Sequence, residues 1–191
     1  MVHELKGYHG TSLSSATQIV KSNYELSIGD KEWLGDGVYF FIEGLSTSPN
    51  EQARKWAIAQ AWNTKNKIYG YKKYAVLKST ITVHDDNLLD LTTEDGIKIL
   101  EYIYDRFEDK IRILKKKLKF IDGLLINLAR GEQFLDIDVA KGNFYIKFAR
   151  ERIKAINLRT PNCTICAVYA PNKNLSEVKI VNIADVEHKE V

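Results

Sequence analysis

Apolar residues recur at intervals of three and four along much of this chain, and the longest such run extends from Thr92 to Lys119. Ile97, Leu100, Tyr104, Phe107, Ile111, Leu114 and Leu118 share one helix face at that spacing. The pattern predicts a long amphipathic helix started by Thr92-Thr93-Glu94-Asp95. Lys110, Arg112, Lys115, Lys116, Lys117 and Lys119 crowd its end, where cations suit the helix dipole; the other use of such a cluster is contact with phosphate. A shorter helix is predicted from Leu13 to about Asn23, with Leu13, Ala16, Ile19 and Val20 on one face and Ser12 as N-cap. Another begins at Ser48-Pro49 and buries Ala53, Trp56, Ala57 and Ala61. A third runs from Ile121 to Ala129 and stops at Arg130-Gly131.

Residues 4–11, Tyr74 to Val83 and Thr164 to Tyr169 read as strands, the second by alternation with a period of two. In the second, Ala75, Leu77, Ile81 and Val83 lie on one side. Phe144, Ile146 and Phe148 alternate as a strand or an ordered loop. Glu25 to Lys31 is a polar loop with a Gly-Asp turn, and Asn63 to Lys73 is a basic connection. His84-Asp85-Asp86 reads as a solvated turn rather than a metal site. Helices and strands mixed in this way predict an α+β fold.

Composition changes this picture little. A chain of 191 residues suffices for one domain with its own core and is short for two. Its 45% hydrophobic and 28% charged residues suit a soluble globular protein, and a net charge of +3 neither demands nor excludes an anionic partner. No apolar run approaches the roughly 20 residues of a membrane span. Met1-Val2-His3-Glu4-Leu5-Lys6 is unlike a secretory signal, so a cytoplasmic location without a membrane partner is the expectation. Cys163 and Cys166 sit three apart on a strand and so face opposite sides; with no second ligand pair for zinc, both read as reduced structural thiols.

The candidate chemistry is concentrated in Gly7-Tyr8-His9-Gly10-Thr11-Ser12 and in Trp33-Leu34-Gly35-Asp36-Gly37-Val38-Tyr39-Phe40-Phe41. Gly10 lacks a Cβ, so its backbone can lie against a planar amide and offer both N–H and C=O. His9 and Thr11 carry short polar side chains able to reach ribose hydroxyls. Gly35 and Gly37 permit close approach, and Tyr39 presents a ring able to stack on the same ligand.

In order and spacing these two segments resemble the first two motifs of the ADP-ribosyltransferases of the poly-ADP-ribose-polymerase and diphtheria-toxin type. The resemblance implies a split, bent mixed β-sheet with the long amphipathic helix inserted, NAD as co-substrate and no metal. It implies that His9 binds ribose, that the Gly10 backbone clamps the carboxamide and that Tyr39 stacks on nicotinamide, with Gly37 close by. It also sets the loop holding Ser27 over the adenosine half, and it offers Trp56 as a wall of the nicotinamide pocket, the alternative being a core tryptophan. Ile137 to Phe144, where an acidic residue, a basic one and Gly precede Phe144, is similar to a stretch of bacterial members.

The family's third motif opens a later strand, usually with Glu; here Thr164 stands in that place. Threonine can bond a ribose hydroxyl but brings no negative charge, which argues against polymer formation and leaves single transfer. Ahead of it, Lys147, Arg150, Arg152, Lys154 and Arg159 surround one acid, Glu151. The resemblance makes this the loop that meets the acceptor. A basic loop there fits nucleic acid, with protein as the alternative acceptor, and Glu151 is its candidate general base; the plainer reading is an ordinary surface loop. The implied function is a mono-ADP-ribosyltransferase of the toxin or phage-defence type, kept in check by an antitoxin or other regulatory protein. Two rivals remain. An RNA 2′-phosphotransferase resembles this chain in Tyr8-His9-Gly10-Thr11, but its second histidine motif is not found where Tyr39 stands, and a catalytically silent NAD- or nucleic-acid-binding module would tolerate Thr164.

Overall fold

A mixed sheet of seven strands carries the fold in this computed structural model, which describes residues 1–30, 32–63, 65–113, 121–148, 152, 154 and 156–186. The strands of the sheet are β1 (Val2–Ser12), β2 (Val38–Ile42), β5 (Lys73–His84), β6 (Leu88–Asp90), β7 (Val139–Phe144), β8 (Cys163–Val168) and β9 (Leu175–Asp185). A two-residue pair, β3 (Trp62–Asn63) and β4 (Ile68–Tyr69), forms a separate hairpin. The order across the sheet is β6-β7-β8-β2-β1-β5-β9, antiparallel except for the parallel β6–β7 pair.

This sheet is two unequal halves. β1 pairs with β5 along its whole length, from Val2 opposite His84 to Ser12 opposite Tyr74, and β9 flanks β5. β2 pairs with β8 over five residues, and β7 and β6 follow. The halves meet at a single register pair, Tyr8 opposite Phe41. Beyond it β1 runs on to Ser12 without a partner from β2.

Helices cover both faces. On one lies α1 (Leu13–Lys21), whose Ala16 joins Tyr24, Phe40, Leu77 and Ile81 in a buried cluster. On the other lie α2 (Pro49–Ala61), α3 (Glu94–Ile113) and α4 (Asp122–Gly131), which bury Ala53, Ala57, Ile103, Phe107, Leu125 and Ile126. Ala75, Leu77, Ile81 and Val83 share the first cluster, as alternation along β5 requires, while Tyr74 and Val76 reach the second. Cys163 and Cys166 divide in the same way, one to each face, both unpaired and with thiols pushed up to about 12 by burial.

Local signals set most of the element ends. Ser12 caps α1 by accepting the Ser15 N–H at 3.1 Å, and Thr93 caps α3 by accepting the Gly96 N–H at 3.2 Å. Pro49 opens α2, but Ser48 makes no side-chain cap; its carbonyl receives the Glu51 and Gln52 N–H groups instead. β7 ends at Phe144, so Ile146 and Phe148 lie in the loop beyond it. Leu114, Lys115, Lys116, Lys117, Leu118 and Lys119 lie outside the described residues.

The buried stripe of α3 differs from the predicted one. Gly96, Ile103 and Phe107 are buried, whereas Ile97 is 50% and Tyr104 39% exposed. Ile103 and Tyr104 both fit a three-to-four spacing; packing against β6 and α4 selects the isoleucine and leaves the phenol at the surface. No helix among the described residues is long and apolar enough to cross a membrane.

Ile103→Ala is therefore expected to cost about 3 kcal/mol in urea unfolding, and Tyr104→Ala less than about 1 kcal/mol. Equal losses would restore Tyr104 to the buried seam.

Candidate functional site

Where β1 and β2 part, a cleft of about 500 Å³ opens, and His9, Gly10 and Tyr39 all line it. The His9 ring crosses the gap. Its Nδ1–H donates to the Tyr39 carbonyl at 2.8 Å, which fixes the tautomer and leaves Nε2 as an acceptor with no partner among the described residues. The ring packs edge-on against Tyr24 and Phe40, with centroids 5.5 and 5.9 Å away. Burial lowers the His9 pKa, opposed in part by the bond to the Tyr39 carbonyl. The imidazole is thus neutral near pH 7.

Tyr39 is anchored at its far end. Its hydroxyl donates to the Gly35 carbonyl at 2.7 Å and accepts the Leu34 N–H at 2.9 Å. Burial holds the phenol well above its usual range; the Leu34 bond opposes this, and the nearby charges of Glu32 and Asp36 add to it. Tyr39 stays protonated and serves the cleft as a fixed aromatic wall.

Gly10 is glycine for a reason that sequence reasoning missed. A Cβ there would lie 1.8 Å from the Ala53 carbonyl oxygen, so the missing side chain is what lets α2 sit on β1. Toward the cleft, Gly10 offers only main-chain atoms. Gly37 also lines the cleft, joined to Ser27 by paired backbone bonds of 2.9 and 3.0 Å. Trp56 packs against the core and also borders the cleft: its ring lies against Phe41, centroids 6.5 Å apart, and its exposed part is among the lining. Ile146 and Ile165 complete the apolar floor. Ile146 is held by Asn162, whose side chain accepts its N–H at 2.8 Å and donates to its carbonyl at 2.9 Å. Gln52 of α2 donates to the Asn162 carbonyl at 2.9 Å.

Other candidates are placed elsewhere. Thr11 lies on β1 opposite Ala75 and does not line the cleft. Thr164, expected to face the ligand, is buried, and its hydroxyl is fully engaged: it donates to the Asn143 side chain at 2.8 Å and accepts the Leu45 N–H at 2.9 Å. Alternation along β8 gives the cleft Ile165 in its stead. Arg152, expected to face phosphates, donates to the carbonyls of Lys147 at 2.8 Å and Ala59 at 3.0 Å, with its guanidinium 5.2 Å from the Trp56 ring. It clasps the loop to α2. Lys147 donates to the Asn157 side chain, and Lys154 is exposed. Arg150 and Glu151 lie outside the described residues.

Two carboxylates of the cleft, Glu25 and Glu32, went unforeseen. The available signal was an acid on either side of Ser27 in the polar loop. Ser27 itself lines the cleft and donates to Glu32 Oε1 at 2.8 Å. Among the described residues no group of three or more His, Cys, Asp or Glu side chains could hold a metal ion.

Fold and site together describe an α+β protein with a largely apolar, aromatic-walled cleft of a size that small-molecule sites commonly have. No family model matches the chain. It is similar to the uncharacterized protein MJ0359 of Methanocaldococcus jannaschii, 31% identical over 123 residues that cover 63% of this chain and 53% of that protein. The chain thus spans about half the length of this relative.

Two outcomes are expected. Thr164→Val leaves Asn143 and the Leu45 N–H unpaired and lowers stability by about 1–3 kcal/mol in urea unfolding, with ligand affinity unchanged; lost affinity at full stability would return Thr164 to the site. His9 has a folded pKa below the ordinary value near 6.5, so protonation favours the unfolded chain and stability falls as pH drops below about 6.5. His9→Gln is expected to flatten that part of the stability–pH profile; an unaltered slope would locate the titrating group elsewhere.

Proposed function

We propose that this chain is an NAD-dependent mono-ADP-ribosyltransferase: it breaks the nicotinamide–ribose bond and passes one ADP-ribose to an acceptor. The convergence of the His9 imidazole, the Gly10 main chain and the Tyr39 ring on one cleft carries the reading. A neutral Nε2 accepts a hydrogen bond from a ribose hydroxyl. Glycine main chain meets the carboxamide of a pyridine ring without a side chain between them. The faces of Tyr39 and Trp56 carry the negative quadrupole that suits a pyridinium cation. Exclusion of water by this apolar lining strengthens each polar contact with the ligand.

The acceptor in this proposal is anionic, with nucleic acid as its class. The loop after β7 borders the cleft through Ile146, and its Lys154 and Arg159 are exposed. An enzyme that consumes NAD calls for a restraint, and an antitoxin-like regulatory protein is the partner proposed for it. One observation favours a second reading, a module that binds NAD without cleaving it: the hydroxyl of Thr164 is withdrawn from the cleft.

Incubation with NAD labelled in the adenylate half separates these. Label on RNA or DNA supports the proposal, and label on protein redirects the acceptor. Bound but uncleaved NAD supports the silent module, and ADP-ribose cyclic phosphate from 2′-phosphorylated RNA supports a phosphotransferase. Tyr39→Ala is expected to reduce nicotinamide release at least about 100-fold, and Tyr39→Phe, which keeps the ring but deprives the Leu34 N–H and the Gly35 carbonyl of their partner, by a smaller factor. An undiminished rate in Tyr39→Ala would remove Tyr39 from the site.

A further inference from the structure

With Thr164 turned away, β8 offers the cleft no charged group. The loop ahead of β2 offers two, and they are held very differently. Glu25 is exposed and has no partner among the described residues. Glu32 is half-buried and fixed at both its backbone and its side chain. Its N–H donates to the Gly29 carbonyl and its own carbonyl accepts the Gly35 N–H, each at 3.3 Å. That carbonyl lies 2.0 Å from where a Cβ on Gly123 would be, so α4 closes against it only because position 123 is glycine. Oε1 receives the Ser27 hydroxyl at 2.8 Å, and Ser27 is pinned by its backbone pair with Gly37. The next residue, Trp33, stacks on Phe144 with centroids 5.3 Å apart. Oε2 has no partner among the described residues.

We infer that Glu32 is the catalytic carboxylate of this cleft, accepting a hydrogen bond from a ribose hydroxyl through Oε2 and stabilising positive charge on the ribose as the bond to nicotinamide breaks. The inference rests on the NAD-cleaving reading above. The C1′–N bond breaks with its electron pair going to the ring nitrogen, which releases neutral nicotinamide and leaves an oxocarbenium ion. The acceptor's oxygen or nitrogen then bonds to C1′ and gives its proton to water. Glu32 neither gives nor takes a proton in either step. A fixed carboxylate is already in place when the charge develops, whereas Glu25 would first have to be ordered. Ser27 is then a positioning residue that orients Oε1, which moves it from the adenosine half implied by the resemblance to the nicotinamide side of the ligand.

The experiment compares wild type with Glu32→Gln and Glu32→Asp. NAD affinity is read by quenching of tryptophan fluorescence, since Trp33 and Trp56 line the cleft. Nicotinamide release is read under single-turnover conditions, and folding by the urea midpoint. Glu32→Gln is expected to bind NAD within about threefold of wild type and to release nicotinamide about 100-fold more slowly, with an unchanged midpoint and partial recovery in Glu32→Asp. A wild-type rate in Glu32→Gln overturns the assignment and leaves the transferase reading intact. Affinity and rate falling together make Glu32 a binding group and also overturn it. Wild type that binds no NAD, or binds it without releasing nicotinamide, overturns both.

Discussion

The Nδ1–H bond from His9 to the Tyr39 carbonyl is the contact on which the site depends. A sheet that stops pairing midway leaves main-chain groups unsatisfied, and a buried carbonyl without a donor costs free energy. Here an imidazole stands in for the next rung after Tyr8 and Phe41, so the two halves separate without orphaning Tyr39. The same bond fixes the tautomer, and burial keeps the ring neutral. One contact therefore opens the gap and prepares its acceptor.

The rest of the architecture holds that gap at a set width. On one side α2 is seated on Gly10 and, through Gln52 and Asn162, fixes Ile146. Arg152 draws the loop beyond Ile146 onto the end of α2. On the other side the segment before β2 is closed by the Tyr39 hydroxyl and by the buried Tyr169 hydroxyl, which donates to the Leu34 carbonyl at 2.5 Å. Aromatic side chains thus tie down the loop that carries Ser27 and Glu32.

What the sequence made legible was whatever depends on near neighbours. α1 and the one-sided row Ala75, Leu77, Ile81 and Val83 follow from period and capping alone, and α4 from its Arg130-Gly131 stop. β9 escaped because an edge strand buries little; Val181 and Ile183 remain 45% and 52% exposed, so no apolar alternation marks it. The stripe of α3 escaped because spacing cannot choose between adjacent residues. At the site, the nearness of His9 and Tyr39 in one cleft could be anticipated from motif order. The fate of Thr164 could not, since its partners Asn143 and Leu45 are distant in the chain. Arg152 looked like a free cation for the same reason: sequence shows a charge but not the carbonyls that occupy it.

Gly10 carries a consequence for any mutational map of this protein. Its contribution to the cleft is main chain, and there is no side chain to delete. A methyl added there would strike α2, so an alanine scan would record a folding defect and miss the ligand altogether. The part proposed for that peptide in recognition becomes separable only by chemistry that edits the backbone itself, such as replacing that amide with an ester.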